Sequence, residues 1–279
     1  MAAKQPGGGL AERPRLMGIV NVTPDSFSDG GRFLDVDAAV AHARRLIAQG
    51  ADVLDIGGES TRPRAAPVSE DEEIGRVVPV VEAVRRESRV QISIDTMKPA
   101  VARAAVAAGA TMWNDVAALR FAPDSLATAA ELGCDVVLMH MQGEPRTMQA
   151  APRYVDVVAE VMAFLADRAQ AALAAGVARD RIWLDPGIGF GKTAAHSLAL
   201  LRNLDRIVAL GFPVLVGVSR KSSIAGIARD KSAEHQRLGG SIAAALAAVA
   251  AGAAMIRVHD VAETRQALAI AAAIGQARA

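Results

Sequence analysis

The stretch V-Q-I-S-I-D-T-M-K-P-A-V-A-R-A-A-V-A-A-G-A-T-M-W-N-D at 90–115 holds one complete unit of the fold. Residues 90–95 form a short β-branched run of strand type, and 99–108 an Ala/Val stretch of helical period. Gly109 follows, where a left-handed helix stop favours glycine, and 111–115 read as a second strand. Strand, helix and strand in succession imply a parallel pair joined by a crossover. Both strands close on polar side chains: Asp95 on the first, Asn114 and Asp115 on the second.

The same alternation recurs on either side. Further strands are expected at 16–21, 53–56, 135–139, 182–185, 214–218 and 255–258. Helices are expected at 37–49, 71–86, 124–132, 154–175, 197–210, 221–229 with 234–250, and 261–274, with Gly50, Gly133, Gly176, Gly211 and Gly252 behind five of them. Eight such units in about 250 residues is the size of a (β/α)8 barrel. The expected fold class is therefore α/β, a (β/α)8 TIM barrel in a single domain over 15–279, with an open doubly wound sheet as the fallback. Residues 1–14 are polar and Gly-rich, without the apolar core of a signal peptide, and read as a disordered tail.

Composition narrows the function classes. With 31 basic and 30 acidic side chains the chain lacks the basic surplus that binding to nucleic acid requires. Single Cys134 excludes a disulfide framework and a Cys-based zinc cluster. The longest apolar stretch, 242–256, is mostly alanine and too weak for a membrane span, so a cytoplasmic protein is expected.

The polar strand ends carry the chemistry, because in a barrel they converge on the C-terminal mouth. Asn21, Asp95, Asn114 with Asp115, Asp185, Ser219 with Lys221, and Arg257 with His259 all stand at such ends. Asp95, Asn114 and Asp185 suit a flat ligand with several N–H donors and acceptors. Arg257, His259, Asn21 and the Thr61 hydroxyl suit an anion such as phosphate. Lys221 is expected to open a helix, where backbone amides also attract anions. The long loops at 23–32 and 57–69 lie on the same face.

Other features read as bland. G-I-G-F-G-K-T at 187–193 has Pro186 where a phosphate-binding loop requires glycine, and is expected to be a tight, close-approach loop. His140 and His259 lack a third partner for zinc. Lys221 could in principle form a Schiff base, but its place at a helix start favours an anion or carbonyl contact. Asp55 and Asp115 are expected to be interior structural carboxylates.

The chain resembles the dihydropteroate synthases. The resemblance rests on M-G-I-V-N-V-T-P-D-S-F-S-D-G-G at 17–31, D-I-G-G-E-S-T-R-P at 55–63, I-D-T at 94–96 and W-N-D-V at 113–116. It continues in L-M-H-M-Q-G-E-P-R-T-M-Q at 138–149, D-P-G-I-G-F-G-K at 185–192, V-S-R-K-S at 218–222 and R-V-H-D-V at 257–261. The resemblance implies a (β/α)8 barrel that joins 6-hydroxymethyl-7,8-dihydropterin diphosphate to 4-aminobenzoate. Asp95, Asn114, Asp185 and Lys221 would hold the pterin, with Met139 and Arg257 on its faces. Diphosphate would lie on Asn21, Thr61, Arg257 and His259, with Mg2+ bridging Asn21 and the leaving oxygens. Aminobenzoate would sit near Phe190, Lys221 and Ser222, under loops bearing Phe27, Thr61, Arg62 and Pro63. Trp113 stands where the family commonly has an aliphatic residue, with consequences expected for packing only.

Asp95, Asp185, Lys221, Arg257 and His259 are thus the expected catalytic set, and the partners are small-molecule substrates and a second copy of the chain. The dimer also has a hint in the residues, since 241–250 are Ala-rich all round. Three rivals remain: a methyltetrahydrofolate-binding barrel, a Schiff-base aldolase using Lys221, and a non-catalytic paralogue that only binds a pterin.

Overall fold

The computed structural model describes residues 13–23, 32–60, 66–144, 147–221 and 237–277. Eight strands alternate with helices: β1 (Arg15–Asn21), β2 (Val53–Gly57), β3 (Gln91–Asp95), β4 (Met112–Asp115), β5 (Asp135–Met139), β6 (Ile182–Asp185), β7 (Leu215–Gly217) and β8 (Met255–Val258). The helices among the described residues are α1 (Arg32–Ala48), α2 (Glu70–Glu87), α3 (Pro99–Ala107), α4 (Ser125–Leu132), α5 (Val157–Ala174), α6 (Ala194–Arg202), α7 (Leu204–Val208), α8 (Leu238–Ala250) and α9 (Val261–Gln276). All strand pairs are parallel, in the order β6-β5-β4-β3-β2-β1-β8-β7. Closure between β6 and β7 is made by a bridge from Leu184 to Val214, with the Leu184 N–H donating to Pro213 O at 3.0 Å. This is the (β/α)8 barrel the alternation implies.

Helix ends account for most departures from the sequence reading. The expected helix at 197–210 is two helices, α6 and α7, parted at Asn203. Its side-chain amide donates to Ala199 O at 2.8 Å, a local bond that competes with the helical ladder. Helix α5 begins at Val157 and not at 154, because the Asp156 carboxylate caps it by accepting from the N–H groups of Val158 and Ala159. The six expected stop glycines all carry positive φ; Gly133, at 58°, is the left-handed residue that ends α4. Of the expected tail, 1–12 lie outside the described residues, while Arg13 pairs with Asp52 at 2.7 Å. The expected helix at 221–229 lies outside them too, except for Lys221.

Inward positions follow the two-residue period of the strands and stack in layers. At the N-terminal mouth Arg15 donates to Gln91, whose amide donates to Asp135 at 3.0 Å. Above them Met17, Val53, Met112, Val137, Trp183, Leu215 and Met255 pack as a dry middle layer. The C-terminal layer is polar again. Outward positions pack against the helices in a larger core that includes Trp113, Ile56, Leu138 and Val161. Trp113 is fully buried and its indole N–H donates to Thr96 O at 2.7 Å, so it also anchors the chain just beyond β3.

Candidate active site

The polar floor of the C-terminal mouth is built from β2, β3, β4 and β8. Arg257 donates through Nε to Asp55 Oδ2 at 2.6 Å and through Nη2 to Asp95 Oδ2 at 2.7 Å. Asn114 Nδ2 donates to the same Asp55 oxygen at 3.0 Å, which leaves its own amide oxygen facing no bond from this network. Asp55 Oδ1 is buried without a hydrogen-bond partner among the described residues. Burial pushes the Asp95 carboxyl up to about 7, with the Arg257 guanidinium pulling against it and Asp55 adding to it. Arg257 therefore pairs with two carboxylates inside the protein before it meets any ligand, a role the sequence did not disclose. Asp55 is interior, as expected, but it is the centre of the floor and not a bystander.

On the opposite side Asp185 closes β6 and accepts from the Gly187 N–H at 2.7 Å. Burial raises its carboxyl to about 6, against the pull of that N–H and of Lys221 and Lys192. Lys221 follows β7, and its ammonium stands 4.2 Å from the Phe190 ring centroid. Burial, and then Arg257, lower it to about 8. Gly189 has φ of 80°, and a Cβ there would stand 3.3 Å from Lys221 Cδ, so the glycine leaves the lysine its path. Met139, Met141, Met148 and Val116 form an apolar wall beside this pair, with Met97 and Phe190 packed on it.

His259 follows β8. Ser219 Oγ accepts from the His259 backbone N–H at 3.2 Å and lies 3.0 Å from its Nδ1. When the Ser219 hydroxyl proton goes to Nδ1, the neutral ring carries its own proton on Nε2. Burial and Arg257 hold His259 down at about 3, so it meets a ligand as a neutral N–H donor and not as a cation. Asn21 closes β1, in register with Gly57 of β2.

The loop at 187–192 is the tight, close-approach loop expected: a Cβ on Gly187 would run into His140 O, and one on Gly191 into Gln142 O. Asp115 is interior and structural, accepting from the N–H groups of Ala117 and Leu119 at 2.7 Å each. Those bonds hold Ala118 and Leu119 at φ of 52° and 58°, a strained stretch for residues with side chains. A buried cluster unseen in the sequence holds both stems of the second loop. Lys98 Nζ donates to Glu59 at 2.7 Å, to Glu73 at 2.6 Å and to Val68 O at 2.7 Å.

The structure thus brings together Asp95, Asn114 and Arg257 on one side and Asp185, Lys221 and Phe190 on the other, with Met139 in the wall between. Phe27, Thr61, Arg62, Pro63 and Ser222 lie outside the described residues. Among the described residues no group of three or more His, Cys, Asp or Glu side chains could hold a metal ion.

The family of pterin binding enzymes matches residues 17–259 of the chain. A dihydropteroate synthase of Haemophilus influenzae is 49% identical over 257 residues, covering 92% of each chain. The structure of a Xanthomonas albilineans dihydropteroate synthase with 4-aminobenzoic acid superposes with a TM-score of 0.90 at 52% identity, over 96% of this chain and 95% of that one. The same organism's enzyme in complex with 7,8-dihydropteroate gives 0.87 at 50% identity over the same shares.

Proposed function

Because the chain belongs to the dihydropteroate synthases among the pterin binding enzymes, we propose that it joins 6-hydroxymethyl-7,8-dihydropterin diphosphate to 4-aminobenzoate, releasing diphosphate in folate synthesis. The observation that carries the reading is the pairing at one mouth of a buried carboxylate and amide floor with a second carboxylate beside a lysine. A pterin edge offers the matching alternation of N–H donors and acceptors, and a mismatched ring would leave those buried groups unpaired. Asp95, Asn114 and Asp185 hold that edge, Lys221 its carbonyl side, and Met139 and Arg257 cover its faces. Phe190 and Lys221, with Ser222, Thr61, Arg62, Pro63 and Phe27, are assigned to the aminobenzoate.

The pterin ring stabilises positive charge on its exocyclic carbon, so the carbon–oxygen bond can break before the amine attacks. Asp95 and Asp185 favour that cation electrostatically. Arg257 and the His259 Nε2–H meet the oxyanion that develops on diphosphate, in preorganised positions. The neutral amine then forms the carbon–nitrogen bond and loses its proton late, so no strong base is required. The donors also suit Mg2+: Asn21 supplies a hard amide oxygen, and Mg2+ ordinarily takes the rest of its shell from water and substrate phosphates. When bound there it would neutralise charge on the leaving group.

A second copy of the chain is assigned to the groove between α8 and α9. Leu238, Ile242 and Leu246 face it from one helix, while Ile270 and Ile274 stand 59% and 71% exposed on the other. Such an apolar stripe favours a partner of the same kind. No helix among the described residues is long and apolar enough to cross a membrane. A single buried, unpaired Cys134 suits the reducing cytoplasm.

Diphosphate release by the purified protein, with pterin diphosphate, Mg2+ and aminobenzoate each omitted in turn, tests the reading. The expected result is release that requires the amine and yields dihydropteroate. Pterin binding without release would contradict it and favour a binding-only paralogue.

A further inference from the structure

The loop at 187–192 carries a buried charge that the reaction does not use. Lys192 is 3% exposed, and its ammonium donates to Phe190 O at 2.9 Å and His140 O at 3.1 Å and lies 2.9 Å from His140 Nδ1. Three N–H groups thus meet three acceptors. Burial and the lysine's own charge push His140 down to about 3, so its ring is neutral and Nδ1 is free to accept. Burial, with Lys221 adding to it, lowers the Lys192 ammonium to about 7 against the pull of Asp185, so it is the three contacts above that keep its N–H groups engaged. Without the lysine, the carbonyls of Phe190 and His140 would be buried polar groups with one partner fewer.

The same loop is pressed flat on the chain that follows β5. Glycines are required at 187 and 191, where a side chain would strike His140 and Gln142 backbone oxygens. Phe190 N–H closes a turn on Gly187 O at 3.0 Å, and Tyr154 OH donates to Gly191 O at 2.8 Å. Phe190 is the residue whose ring this loop brings to the site, 4.2 Å from the Lys221 ammonium and against the methionine wall. A loop of glycines has little stiffness of its own. What fixes the carbonyl of Phe190 is the lysine two residues later.

We propose that Lys192 is a positioning residue for the aminobenzoate half of the site: its ammonium fastens the Phe190 carbonyl to His140 and so sets where the Phe190 ring stands against Lys221. This rests on the assignment of aminobenzoate to Phe190 and Lys221 made above. Of the groups assigned to the pterin, Asp95, Asn114, Asp185 and Arg257 take no hydrogen bond from Lys192, whose charge reaches Asp185 only through space.

Steady-state kinetics of Lys192→Met and Lys192→Arg beside the wild-type enzyme, with crystal structures of the first and the wild type, test it. Lys192→Met is expected to raise the aminobenzoate KM about tenfold or more and to move Phe190 by about 1 Å, a displacement that can cost up to a hundredfold. The pterin diphosphate KM should stay within about threefold, and Lys192→Arg, which keeps donors and charge, should recover much of the loss. A folded Lys192→Met enzyme with unchanged aminobenzoate KM, with both KM values raised alike, or with Phe190 unmoved, would overturn the proposal. Should that variant fail to fold by thermal melting, His140→Leu removes one acceptor only and should show the same split at about threefold; no split there overturns it equally. A wild-type protein without turnover would contradict the functional reading instead, and the position of Phe190 would still decide this proposal.

Discussion

The two mouths of the barrel are built from the same alternation of inward residues, yet at one the polar groups are spent on each other and at the other some are left over. At the N-terminal mouth Arg15, Gln91 and Asp135 bond to one another, Arg181 lies 3.8 Å from Asp135, and the Arg15 guanidinium stands 5.9 Å from the Trp183 ring. Their hydrogen-bonding groups are turned on each other as a plug. At the C-terminal mouth Arg257 is divided between Asp55 and Asp95, Asn114 keeps its amide oxygen, and Asp55 Oδ1 has no partner among the described residues. Polar residues inside a barrel are therefore not a site by themselves. Unspent donors and acceptors, held rigidly and shielded from water, are what make one.

The comparison can be broken most forcefully at Arg257. Arg257→Ala removes the donor to the leaving group and strands two carboxylates, so kcat/KM should fall about 10²–10³-fold. Stability should drop by about 3–5 kcal/mol as well. Retention of wild-type kcat and KM would refute the anion assignment. The ionisation states sharpen the same point. Asp95 and Asp185 must be charged to accept from the pterin, and burial has raised both, so kcat/KM should decline as the pH falls through about 7 to about 6. Lys221 must be charged to donate and burial has lowered it, so activity should decline again as the pH rises through about 8. A profile flat from pH 5 to 9 would argue against these groups.

A gentler perturbation at this mouth is Gly189→Ala, which places a Cβ against Lys221 at a φ that disfavours side chains. It should lower kcat/KM about tenfold with the pH limbs displaced, whereas an unaltered profile would mean that Lys221 takes another path. The opposite mouth supplies the control. Arg15→Met should cost about 1 kcal/mol in denaturant melts and leave kcat and both KM values within about twofold. A kinetic defect there would erase the distinction between the two ends. Smallest is the expected effect of Ile274→Asp on α9, which should shift the proposed dimer toward monomer in sedimentation with little change in turnover; sedimentation identical to the wild type would contradict the proposed α8–α9 interface.

Much of this was legible in the sequence because the strands announce themselves by length and by their last residues. The expected strand ends at Asp95, Asp115, Met139, Asp185 and Val258 are where the strands stop. The same pattern marked Asn114 and Arg257, while Phe190 came only from the family resemblance. What it could not supply was partnership. Asp55 and Arg257 are 202 residues apart, and no local pattern says that they share a bond. The inward position of Asp55 could still have been read from the alternation of Val53, Asp55 and Gly57 along β2. The neutral state of His259 depends on burial and on Arg257 beside it, both products of the closed barrel. Lys98 and Lys192 were illegible for a similar reason, since each acts on segments that meet it only after folding.

The most direct test of the account is a crystal structure with pterin diphosphate and an unreactive aminobenzoate analogue bound together. The pterin is expected to lie in the C-terminal mouth with Asn114 Oδ1, Asp95 and Asp185 accepting from its ring, Arg257 over its face, and the analogue against Phe190 and Lys221. A pterin bound away from Asp95 and Asp185, or an analogue out of reach of Phe190, would contradict it.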